Sequence, residues 1–154
     1  MDQPEAPTMI EMELGRLVLR DQSLDLPQYV YLREKNGQRS FPIMIGYPEA
    51  AEIQRVVMGV ATERPMTHQL LFDAIDALGA RLARVDICDL ASNTFYAQLT
   101  LEDGSGATLA TLDARPSDSI ALAQRAHCPL FVSEPILEAS RTDDSPDVLD
   151  GELD

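Results

Sequence analysis

The sequence predicts an α+β fold in which two β-hairpin-containing sheets pack around helices. Alternating apolar segments come in groups of three ahead of each helical stretch, which gives the order β-β-β-α-α-β-β-β-α-β. Grouped strands of this kind favour α+β over a doubly wound sheet. A prolyl residue follows a strand and opens a helix twice, at Pro48 and Pro116. With 154 residues, 45% hydrophobic and 25% charged, the chain suits one domain with a full core.

The elements follow in order. Ile10, Met12 and Leu14, then Leu17 and Leu19 after Gly15, alternate as a strand with a bulge at the glycine. Gln28 to Glu34 and Ser40 to Ile45 flank Asn36-Gly37, a tight-turn signal, and read as a hairpin. Pro48 opens a helix with Glu49 in its first turn, and Ile53, Val56, Val57 and Val60 form its expected buried stripe. Thr67 is placed to cap a second helix with an apolar face of Leu71, Ala74, Ile75 and Leu78, ended by Gly79. Arg81 to Asp89, Thr94 to Glu102 and Ala107 to Asp113 read as strands, the last two joined by a turn at Asp103-Gly104. Pro116 to about Ala126 is a helix, Pro129 to Ser133 a short buried strand, and Ile136-Leu137 fits a last helical turn.

This gives a disordered N-terminus over 1–8, a folded domain over 9–138 and an acidic disordered tail over 139–154. An echo at an offset of 68 aligns the Tyr29–Pro48 segment with Ala97–Pro116, as an internal β-β-β-α duplication would.

Asp and Glu total 26 against 12 Lys and Arg, a formal charge of −14, and Lys35 is the only lysine. Such a field repels polyanions at long range, so any action on nucleic acid needs a local Arg cluster or a bound metal. No apolar run approaches the roughly 18 residues of a membrane span, and the first residues lack the basic start of a signal peptide. Cys88 and Cys128 stand far apart, which excludes a disulfide scaffold or Cys-based zinc site and makes the cytoplasm the expected location.

Two clusters could carry chemistry. In Asp113-Ala114-Arg115-Pro116-Ser117-Asp118 a strand delivers Asp113 to the start of a helix whose first N–H groups are unpaired. That start can hold an anion with Arg115 as bidentate partner. Alternatively Asp113 and Asp118 share a hard divalent metal, or Ser117 and Asp118 merely cap the helix while Arg115 pairs with Asp113. The second cluster, Arg64-Pro65-Met66-Thr67-His68, puts a histidine in a first helical turn, where it can act as base, ligand or phosphate partner. No Walker loop, G-x-G-x-x-G, G-x-S-x-G or H-E-x-x-H is present, so the enzyme classes built on them drop out.

Taken together, Pro42-Ile43, Ile45-Gly46 with Glu49-Ala50, Arg64-Pro65 with Thr67-His68, Thr94-Phe95-Tyr96-Ala97 and the Asp113–Asp118 string with Ile120-Ala121-Leu122-Ala123 resemble the bifunctional nuclease (BFN) domain family. The resemblance runs from about Met9 to Leu137 and implies the family's fold and a DNase and RNase label. The family often has Asp directly after the histidine; here that position is Gln69, which weakens any metal site using it.

The leading expectation is a nuclease that hydrolyses DNA or RNA with little sequence preference, probing phosphate through Arg64, Arg115 and Ser117. Asp113 and Asp118 would hold Mg²⁺ or Mn²⁺, His68 would be base or acid, and Glu49 is an accessory candidate. The alternative is a non-catalytic regulatory module that binds an anion or a partner. A single site requires the starts of the Thr67 and Pro116 helices to face one cleft. A homo-oligomer is expected from the resemblance and from exposed strand edges.

Overall fold

The computed structural model describes residues 5–21 and 25–142. Its elements are β1 (Met9–Val18), β2 (Gln28–Glu34), β3 (Ser40–Ile45), α1 (Tyr47–Met58), α2 (Thr67–Ala77), β4 (Arg81–Ala91), β5 (Thr94–Glu102), β6 (Thr108–Ala114), α3 (Pro116–Ala126), β7 (Leu130–Ser133) and α4 (Glu134–Ser140). The α+β class and the element order are those the apolar periodicity predicts. The disorder expected of the acidic tail concerns residues that, from 143 onward, lie outside the described ones, as do residues 1–4. Within the described part, α4 runs two residues past the expected end of the domain, and Thr142 bridges Ser40.

The expected pair of sheets is instead one seven-stranded sheet, ordered β3-β2-β1-β7-β4-β5-β6. The short strand β7 joins the halves, antiparallel to β1 and parallel to β4. Its composition explains the position. Leu130 and Val132 are buried, and a strand that apolar gains most where both backbone edges are paired. On either side of β7 the same β-β-β-α order recurs, ending in α1 and in α3.

Gly15 marks the expected bulge, with the β1–β2 register shifting between Leu14 and Arg16. The Asn36-Gly37 turn is not the two-residue hairpin turn its sequence suggests, because neither residue has positive φ. The loop is longer: Glu34 N–H donates to the Arg39 carbonyl, and the Glu34 carboxylate folds back to accept from Arg39 N–H and Nε at 3.1 and 2.6 Å. A Cβ on Gly37 would lie 2.4 Å from that carboxylate, so a side chain there would push Glu34 aside from its place against Arg39.

Two helices bury different faces from those predicted. In α1, Ala50, Glu52 and Ile53 are buried, while Val57 and Val60 are each 55% exposed. The helix stops at Gly59, which takes the left-handed conformation, so Val60 lies beyond it. In α2, Thr67 is the first helical residue and not the cap, a place taken by Met66 without a side-chain hydrogen bond. Only Ile75 of the expected apolar face is buried; Phe72 packs on the core, and Leu71 and Leu78 are exposed. The inward stripe is therefore His68, Phe72 and Ile75, spaced i, i+4, i+7. That rotation turns the histidine toward the body of the protein.

The core is one cluster spanning both halves. Ile120, Ala121, Leu122 and Ala123 of α3 are all at most 1% exposed, and α3 packs on α1, α2, β4 and β5. The helix is thus fixed on all sides near its start, which gives its first turn a rigid base.

Candidate functional site

Three helix starts line one cleft of about 700 Å³: Pro48 and Glu49 of α1, Thr67 and His68 of α2, and Arg115 and Asp118 at the head of α3. Each helix directs the partial positive charge of its N-terminus into this region. Proline in the first turn of α1 and α3 costs no hydrogen bond there and sets the backbone for the helix.

Asp118 is the centre of the array. His68 Nε2 lies 2.8 Å from its Oδ1, across 50 residues of chain. Arg115 donates to it through Nε (2.9 Å, to Oδ2) and Nη2 (3.1 Å, to Oδ1), and the same Nη2 donates to Glu49 Oε1 at 3.1 Å. Burial pushes the Asp118 carboxyl up, but hydrogen bonds from Arg115 and His68 outweigh it and hold the group below the usual aspartate value. It is therefore a carboxylate at neutral pH. A carboxylate only accepts hydrogen bonds, so Nε2 of His68 carries the hydrogen that it donates, and in the neutral tautomer Nδ1 is the acceptor.

Neither form of ordinary capping occurs at this helix start. The N-cap is Arg115, and no side chain caps the helix. Its carbonyl instead accepts from the Ser119 hydroxyl at 2.8 Å. Arg115 pairs with Asp118 and Glu49 rather than with Asp113. Its Nη1 makes no hydrogen bond among the described residues, and the side chain is 65% exposed.

The remaining predicted residues are distributed unevenly. Asp113 is exposed at the end of β6 and lines the cleft, and Glu49 lines it with Oε2 unengaged among the described residues. Ser117 is buried and faces a different hollow, beside Ile43, Ile45 and Phe95. Arg64 is exposed on the loop before α2 and is not among the residues lining the cleft.

Both oxygens of Asp118 are engaged, and among the described residues no three His, Cys, Asp or Glu side chains converge as a metal cage. The donors with oxygens to spare are Asp113 and Glu49. Two carboxylates are too few for a closed protein site, so a divalent ion there would keep most of its ligands as water.

A second network, not signalled by the motifs, braces the wall of the cleft. Glu52 is 1% exposed, accepts from Arg55 at 2.8 Å and from Arg125 Nε at 3.1 Å, and so ties α1 to α3. Burial raises its carboxyl, and the hydrogen bonds from Arg125 and Arg55 overcome this and leave it lowered. Gln69, directly after the histidine, accepts from Arg125 and donates to Asp73 at 2.6 Å. It serves this brace and not the cleft. The only signal for Glu52 in the sequence is a carboxylate beside Ile53 on an apolar stripe.

The chain is thus an α+β domain with a His–Asp pair and an arginine at converging helix starts. The bifunctional nuclease domain matches residues 30–145, and the chain belongs to that family. Two uncharacterized proteins from strains of Mycobacterium tuberculosis are each 46% identical over 106 residues, covering 69% of this chain and 62% of their own length. Bifunctional nuclease 2 and bifunctional nuclease 1 of Arabidopsis thaliana are each 25% identical over 137 residues, 82% of this chain and 42% of their own. The chain thus spans about three fifths or less of the length of these relatives. No helix among the described residues is long and apolar enough to cross a membrane.

Proposed function

We propose that the chain is a phosphodiesterase acting on DNA or RNA, with the cleft at the three helix starts as its active site. The observation that carries this reading is the Asp118-centred array, which sets a histidine acceptor and a phosphate donor in one cleft. Asp118 orients His68 and stabilises the imidazolium formed when Nδ1 takes a proton from water. The water oxygen bonds to phosphorus as the P–O bond to the leaving nucleoside breaks, and the protonated His68 or solvent returns a proton to that oxygen. Arg115 Nη1 donates to a non-bridging oxygen and stabilises the charge that builds there. Asp113 and Glu49 would hold a divalent ion, Mg²⁺ or Mn²⁺, which when bound neutralises phosphate charge.

A second reading is a non-catalytic module that binds an anion or a partner. The feature that favours a partner over a nucleic-acid substrate, and that weighs against an anion as well, is the cleft's own charge, four carboxylates (Glu49, Glu52, Asp113, Asp118) against two guanidiniums (Arg55, Arg115). A fluorescent oligonucleotide, with and without EDTA, separates the two readings. EDTA-sensitive cleavage abolished by Asp118→Ala supports the enzyme. Cleavage that survives Asp118→Ala belongs to another site or a contaminant, and binding without cleavage supports the module.

A further inference from the structure

Resting on the phosphodiesterase reading, we infer that the preferred substrate is a short phosphodiester of low charge, such as a dinucleotide or a strand end, and not the interior of a long polyanion. Three features of the cleft point this way. Its volume, about 700 Å³, is that of a small-molecule pocket, which spans roughly 300–1,000 Å³. A groove for a strand would need a run of cations along its length, since each phosphate contacted needs one.

The charge is the second feature. With His68 counted neutral, the lining has a formal balance of −2. Arg125, behind the wall, is committed to Glu52, and Arg55 gives Nε and Nη2 to the same carboxylate with its side chain only 25% exposed. Arg115, 65% exposed and with Nη1 unengaged among the described residues, is the more accessible of the cleft's two guanidiniums and the one placed to meet a phosphate group. The whole chain, cleft included, carries a formal −14. Each additional phosphate on a substrate therefore adds repulsion for little added contact.

The third feature is the wall beside Arg115. Met66 and Leu71 are 46% and 42% exposed, and Leu71 lies one turn beyond His68 on α2. With the buried Leu99 and Leu122 they give the cleft an apolar side on which a nucleobase flanking the scissile phosphate can lie. One phosphate handle beside one apolar wall matches a single nucleotide unit.

The test compares a dinucleoside monophosphate with a long single strand of the same bases, at low and moderate ionic strength, on the full chain. Raising salt from about 0.01 to 0.15 M shortens the screening length from roughly 30 to 8 Å. The expected result is a kcat/KM for the dinucleotide that salt leaves unchanged. For the long strand, kcat/KM per linkage is expected several-fold lower at low salt and rising as salt screens the repulsion. Leu71→Ala should raise KM for the dinucleotide while leaving kcat within about twofold, a loss of roughly 1 kcal/mol of apolar contact being near fivefold in binding. A long strand cleaved faster at low salt and inhibited by added salt overturns this inference but leaves the phosphodiesterase reading standing. Hydrolysis of neither substrate overturns both.

Discussion

Replacing Asp118 by Asn tests the site with the least change in shape. The carboxylate accepts from His68 and twice from Arg115. An amide presents one acceptor atom and one donor, so it cannot accept from His68 and from both Arg115 nitrogens: one orientation sets its NH₂ against Arg115 Nε, the other against His68. If its oxygen stays toward Arg115, its NH₂ faces His68 and forces the proton to Nδ1, which removes the proposed base. The stability cost follows from exposure. The His68–Asp118 pair is partly buried, with side chains 18% and 28% exposed, and a hydrogen bond to a charged group is worth about 1.5–3 kcal/mol. The Arg115 side chain is 65% exposed, so its share is nearer 0.2–1 kcal/mol, roughly the value of a surface pair. Asn keeps part of both, which leaves a loss of about 1–2 kcal/mol and a melting temperature lower by roughly 2–8 °C. The loss of a positioned base is larger, about 10²–10⁴-fold in kcat, or roughly 3–5.5 kcal/mol of barrier. Thermal melting and steady-state cleavage of the dinucleotide measure the two effects on one preparation. Full kcat in a folded Asp118→Asn protein would refute the dyad. The pH dependence supplies a second check. Because the native carboxyl lies below its ordinary value of 3.8, its stabilisation is fully present above that value and is lost as pH falls through the lowered native one. The part of the stability gap between the native protein and Asp118→Asn that the carboxyl's own titration carries should therefore close only in strong acid.

Further outcomes are expected elsewhere. Glu52→Ala leaves Arg55 and Arg125 without their buried carboxylate and should cost about 3–5 kcal/mol in urea unfolding, since a broken buried pair strands its partners. Arg115→Ala should lower kcat/KM for the dinucleotide by about 10- to 100-fold, as expected for one charge-assisted bond to phosphate, with Arg115→Lys intermediate. EDTA should reduce cleavage and added Mg²⁺ or Mn²⁺ should restore it; full activity after exhaustive chelation would remove the metal from the proposal. The homo-oligomer is tested at β6, an edge of the sheet where Leu109 and Leu112 are 56% and 42% exposed. Sedimentation should give a species heavier than 17.0 kDa that Leu112→Lys reduces to the monomer, and a wild-type monomer at micromolar concentration would exclude it.

The sequence alone determined what depends on local chemistry. Alternation between neighbours sets the strands, and Pro48 and Pro116 set the starts of α1 and α3, because these preferences act within a few residues. It also marked His68, Arg115 and Asp118, since polar residues clustered at a helix start stand out against the apolar run Ile120 to Ala123 that follows. Only the tertiary structure decided the rest. The site of β7 in the sheet depends on which long-range partners leave its backbone paired, and four residues cannot encode that. The face that α2 buries was misread, because a helix with Leu and Ala on several sides has no unique apolar stripe until it meets α3. Once it does, His68 swings inward to Asp118 while Arg64, a few residues earlier on a loop, stays outside. Ser117 and Asp118 are adjacent in the chain, yet neighbouring helical positions point about 100° apart, so one faces the hollow beside Ile43 and Phe95 and the other the cleft.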